Sequence, residues 1–149
     1  MACPQDILTA LERYCAYRDR SPFEVERKAY SLGIPAKDWP ACRQLLEENG
    51  FLSAKRFAEN FARGKLHQNG WGRLKIRHAL LGHQIEKELI ESALAALDEQ
   101  TYLSKLDRLA KNKARSLRHH KDKEERLLRF LYQRGFEYEL LLSRLKSWF

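Results

Sequence analysis

Apolar positions in this chain recur at three- and four-residue steps from one end to the other, the spacing of amphipathic helices. Ile7, Leu8, Leu11, Tyr14 and Cys15 predict a first helix over residues 5–20. Ser21-Pro22 with Glu24 predicts a capping box that opens a second helix, which carries Val25, Ala29 and Leu32 and stops at Gly33. Pro35 forbids immediate resumption, and a third helix carries Trp39, Cys42, Leu45 and Leu46 up to Asn49-Gly50. The plan then repeats, with helices over 53–67, 72–83 and 86–98, and again over 101–119, 122–134 and 137–148.

A single offset of 51 residues superimposes the three copies. It aligns Val25, Ile76 and Leu127; Ala29, Leu80 and Leu131; and Ile34, Ile85 and Phe136. It also aligns Trp39, Ile90 and Leu141, then Leu46, Leu97 and Trp148, so one shift serves both later helices of every copy. This predicts an all-α fold: an elongated, curved array of three tandem three-helix repeats, at about residues 5–50, 51–99 and 100–149 of a single domain. Units this short bury too little surface to stand alone and must stack. The helix over 72–83 has Ile76, Ala79 and Leu80 on one face and Leu74 and Leu81 on another, which predicts a helix wedged between two neighbours.

Composition supports this reading. Among 149 residues there are only 7 Gly and 4 Pro, too few for a turn-rich β architecture. Three cysteines, Cys3, Cys15 and Cys42, form no metal-ligand spacing, and reduced cytoplasmic thiols are the expectation. No apolar run approaches the roughly 18 residues of a membrane span. No secretory signal precedes the first helix, and a cytoplasmic protein with no membrane partner is expected.

The net charge of +8 is unevenly distributed. Residues 1–50 hold 7 Lys/Arg and 8 Asp/Glu, residues 51–100 hold 8 and 6, and residues 101–149 hold 13 and 6. A polyanion would therefore be met mainly by the third copy. There Lys105, Arg108, Lys111, Arg115 and Arg118 advance by steps that hold them along one side of a helix, and Lys121 follows at the next turn. Such a stripe neutralises phosphates with release of counterions and shows no base-reading pattern. In the central copy Arg56, Arg63 and Lys65 lie on the first helix, beside the core positions Phe57 and Phe61. Arg73, Lys75 and Arg77 occupy the start of the next helix, after Asn69-Gly70-Trp71-Gly72. Cations in a first turn oppose the helix dipole, and free N–H groups there attract phosphate, so this start is a candidate anion contact. No zinc spacing, nucleophile motif or phosphate-binding loop occurs. The chain is read as non-enzymatic, with no metal site.

The stretch Gly50-Phe51-Leu52, Arg56-Phe57-Ala58 with Phe61, Gly70-Trp71-Gly72, Arg73 with Ile76 and Leu80, and Gln84-Ile85 resembles the core of the RecX family, bacterial regulators of the RecA recombinase. Close matching covers roughly residues 50–95. Ser53 and Ala54 stand where members commonly have acidic residues, a proline is missing near Trp71-Gly72, and Gln84 replaces a glycine. The resemblance implies three tandem three-helix repeats and binding of the RecA–single-stranded DNA filament; a monomer is expected. It further implies that the chain limits filament growth or stability, and hence recombination and DNA repair, without enzymatic activity and without a cofactor. The charge alone fits a second reading, a general basic helical nucleic-acid-binding module.

Overall fold

The computed structural model describes residues 2–149, and among them there are helices and no strand. The helices are α1 (Gln5–Tyr17), α2 (Pro22–Ser31), α3 (Trp39–Glu48), α4 (Ala54–Asn69), α5 (Arg73–Gly82), α6 (Lys87–Ala95), α7 (Glu99–Leu117), α8 (Lys123–Gln133) and α9 (Tyr138–Arg144). Short 3-10 turns precede α3 and follow α9. They form three sets of three, each set packed on itself, with α4 against α7 joining the second set to the third.

The 51-residue frame is a frame of burial. All fifteen side chains that it aligns are at most 7% exposed, and nine of them have no exposed surface: Val25, Ala29, Leu46, Ile76, Leu80, Leu127, Leu131, Phe136 and Leu141. The end of the middle helix repeats as well. The Ile34 N–H donates to the Ala29 carbonyl (3.1 Å), Ile85 to Leu80 (3.2 Å) and Phe136 to Leu131 (3.3 Å). This six-residue closure needs a left-handed residue just before the donor. Gly33 (φ 99°) and Gly135 (φ 97°) supply it in the outer units, and Gln84 (φ 58°) takes the same conformation in the central one. At the start of α2, Ser21 and Glu24 form the reciprocal capping box.

Two cores hold the array. One lies within α1–α3 and includes Leu11, Val25, Trp39, Cys42 and Leu46. The other runs unbroken through α4–α9, from Phe57 to Trp148. The junction between these cores is largely polar: Asn60 Nδ2 donates to Asp19 (2.8 Å), Arg56 approaches Asp19 (4.0 Å) and His83 approaches Glu24 (3.9 Å). The accessible surface is 9184 Å², against about 7,900 Å² for a compact monomer of this mass, as an elongated array requires.

Two expectations are corrected. Cys3 and Cys42 are joined by a disulfide that ties the segment before α1 to α3, so only Cys15 is a free thiol, and burial pushes it up to about 11. The second apolar face of α5 is not covered: Leu74 and Leu81 are 36% and 53% exposed, and the buried apolar side chains of α5 are Ile76 and Leu80.

Candidate nucleic-acid interface

The cationic side chains singled out by the sequence fall into two groups, those engaged by the fold and those left free. Arg73 belongs to the first. Its Nη1 donates to Glu137 (2.8 Å), its Nη2 to Glu99 (2.6 Å), and its guanidinium lies 3.8 Å from the centroid of the Tyr102 ring. The Tyr102 hydroxyl accepts from the Arg73 backbone N–H (3.0 Å) and donates to Glu137. Burial opposes the charge of Glu137, but Tyr102 and Arg73 outweigh it and hold the carboxyl below its usual range. Burial, reinforced by the bond to Glu137, pushes the Tyr102 phenol upward. This cluster joins α5, α7 and α9 around one buried tyrosine. Arg77 is likewise occupied, donating from Nε and Nη2 to Glu91 (2.8 and 2.9 Å).

The start of α5 is not an open anion site, which corrects the sequence expectation. The Gly72 N–H donates to the Arg134 carbonyl (2.8 Å), the Arg73 N–H to Tyr102 and the Leu74 N–H to the Gly135 carbonyl (2.9 Å). Three free amides at this helix start are thus satisfied by the third unit. Arg56 is exposed but engaged, donating to the Gly50 and Phe51 carbonyls at 3.2 Å each. Lys105 donates to the His67 carbonyl (2.8 Å).

The remaining candidates face outward. Arg63 is exposed, with a hydrogen bond to Asn60. Lys65 and Lys75 bracket the half-buried Trp71, with their Nζ atoms 4.8 and 4.6 Å from its ring centroid. Along α7 and the following turn, Arg108, Lys111, Arg115, Arg118 and Lys121 are exposed. None of these five has a carboxylate within 4.0 Å among the described residues. A cationic face without internal partners retains its field for an external anion. Farther on, Arg126 is neutralised by Asp122 (2.8 Å). Sequence reasoning passed over Lys123 and Phe149, which the fold brings beside Lys111, Arg115 and Arg118. It also assigned Trp148 only to the core. Nothing in residue spacing relates the chain end to α7, and only the packing of α9 does so.

Among the described residues no cluster of His, Cys, Asp or Glu has the makings of a metal site, and no helix is long and apolar enough to cross a membrane. Residues 55–94 match the family described as "RecX, second three-helix domain". The chain is 31% identical over 127 residues to "Regulatory protein RecX" of Chromohalobacter salexigens, a match covering 85% of this chain and 82% of that protein. It is also 31% identical over 106 residues to "Regulatory protein RecX" of Clostridium botulinum (strain Eklund 17B / Type B), covering 68% of this chain and 49% of the relative. It thus spans about half the length of the clostridial and streptococcal relatives it matches. The crystal structure of RecX from Lactobacillus salivarius superimposes with a TM-score of 0.88 over 96% of this chain and 94% of that one. At 23% identity that likeness is one of fold.

Proposed function

This chain belongs to the RecX family of regulatory proteins, and from that premise we propose that it binds the RecA–single-stranded DNA filament and limits its growth or stability. The observation that carries the reading is the unneutralised row Arg108, Lys111, Arg115, Arg118 and Lys121 on an elongated helical array. An extended basic face touches several filament subunits and the phosphate backbone together, and each ion pair it makes displaces condensed counterions. Lys65 and Lys75 around Trp71, with Arg63, extend the contact onto the central unit. Arg56, Arg73, Arg77 and Lys105 serve the frame that holds these charges in place. On this reading the chain acts in the cytoplasm as a monomer, on one continuous body of about residues 1–149. It uses no cofactor, makes no base-specific contact and modulates recombination and DNA repair without catalysis of its own.

The competing reading is a general nucleic-acid-binding module, which the same unpaired row favours. Affinity measured for bare single-stranded DNA and for the same strand coated with RecA separates them. The filament reading expects tighter binding to the coated strand and a shallower salt dependence there, because part of that contact is with protein. Equal affinity for both, with the same steep salt slope, would favour the general module.

A further inference from the structure

Beside the last turns of α7 the third unit forms an open, solvent-facing cavity of about 450 Å³. Lys111, Arg115 and Arg118 reach it from the last turns of α7, Lys123 from the first turn of α8, and Ser147, Trp148 and Phe149 from the closing turn. Ala114, small and buried, leaves the space between Lys111 and Arg115 open. No acidic residue lines the cavity.

The floor is held rigidly. Asp107, one turn before Lys111, accepts two hydrogen bonds from Arg144 (3.1 and 2.6 Å) and one from the Trp148 indole N–H (2.9 Å). That carboxylate is thereby neutralised within the fold, and it fixes the indole that backs the cavity. Phe149, 44% exposed, presents its ring at the rim, with Lys123 Nζ 5.0 Å from the ring centroid. Cations near a helix C-terminus stabilise the helix itself, which accounts for Arg115 and Arg118. It does not account for Lys123, which stands at the opposite, positive end of α8. Lys123 adds a fourth cation to the cavity lining instead.

We propose that this cavity takes one nucleotide unit of single-stranded DNA, resting on the reading of this face as the one that meets filament DNA. A backbone phosphate sits among Lys111, Arg115 and Arg118, and the attached base stacks on the exposed ring of Phe149, with Lys123 moving aside to pair with phosphate. The volume lies within the roughly 300–1,000 Å³ of small-molecule sites, enough for one unit. An unpaired base is required, because a duplex keeps its base faces stacked against one another. Stacking is tolerant of base identity, so the pocket adds grip on unpaired DNA without sequence preference.

The test is anisotropy titration of the full chain with a labelled oligothymidylate and with an abasic oligomer of the same length. Phe149→Ala should weaken oligothymidylate binding about tenfold and leave abasic binding unchanged, as loss of one stacked base implies. Phe149→Leu, which keeps apolar bulk, should show the same loss, with helical melting unchanged in both variants. Arg115→Gln with Arg118→Gln should weaken both ligands. Irradiated 5-iodouracil in the oligomer should cross-link to Phe149 or Trp148. The proposal is overturned if both Phe149 variants bind oligothymidylate like the wild type, or if wild type binds the abasic strand equally well. It is also overturned if thymidine monophosphate at equal nucleotide concentration displaces the strand, since the site would then serve free nucleotides. A chain that restrains RecA filaments without any Phe149 dependence sinks the pocket alone. One that leaves filaments unchanged yet binds bases through Phe149 sinks the filament reading alone.

Discussion

Gly72 and Gly135 meet backbone to backbone where the second unit docks on the third. A Cβ on Gly72 would lie 2.5 Å from the carbonyl of Gly135 and from the Phe136 nitrogen, and a Cβ on Gly135 would lie 2.4 Å from Lys75 Cβ. The approach lets the start of α5 donate its Gly72 and Leu74 N–H groups to the turn between α8 and α9. It also places Arg73 over Tyr102 and against Glu137. The close contact thus converts what a solvent-exposed helix start would offer to phosphate into an internal seam.

Adding a methyl at this seam should separate the units. Gly72→Ala and Gly135→Ala should each destabilise the chain by about 1–3 kcal/mol, the cost of overpacking against backbone that has nowhere to move. Gly135→Ala should be the worse, since its φ of 97° is also strained for an L side chain. Gly64, inside α4 with nothing within 4 Å of a Cβ, is the control: Gly64→Ala should stabilise slightly. Urea midpoints check all three, and a seam variant melting like the wild type would contradict the packing.

Gln84 performs a glycine's task. At φ 58° it stands 51 positions from both Gly33 and Gly135, the two glycines that close the equivalent helix ends. A left-handed conformation costs a residue with a Cβ about 1–2 kcal/mol. Gln84→Gly should recover about 1 kcal/mol of that, net of the extra freedom gained by the unfolded chain. Thermal melting decides it, and a lower midpoint would show that the Gln84 side chain supports the turn in some other way.

The Cys3–Cys42 bridge, 39 residues apart in sequence, should tie stability of the first unit to redox state. By the chain-entropy account, a closed loop of this length contributes about 3–4 kcal/mol. Dithiothreitol, or Cys3→Ser, should therefore lower the melting of α1–α3 while sparing α4–α9, which have their own core. Hydrogen exchange resolved by segment is the readout, and protection of α1–α3 unchanged on reduction would remove the bridge from the account.

What the sequence disclosed and what it hid divide along range. Val25, Ile76 and Leu127 are legible because burial follows a local period, and a repeat writes that period three times. The Ser21–Glu24 capping box is legible because its partners are three residues apart. Arg73 looked free because its carboxylates, Glu99 and Glu137, are 26 and 64 residues away and come from other helices. The opposite error occurs at Leu74 and Leu81, where apolar spacing implied a neighbour that the array does not supply. The cavity beside Arg115 was invisible for the same reason as the Arg73 pairing: its aromatic wall arrives only through the packing of α9 and the closing turn on α7.

On the proposed function, the unpaired cations of α7 act on a RecA filament. The measurement that tests it most directly is the single-stranded-DNA-dependent ATPase activity of RecA, followed as the chain is added below one copy per RecA subunit. The wild type should inhibit, and Arg115→Glu with Arg118→Glu should lose that inhibition, with helical melting intact because both side chains are exposed. Undiminished ATPase activity with an excess of the wild-type chain would contradict the proposed function.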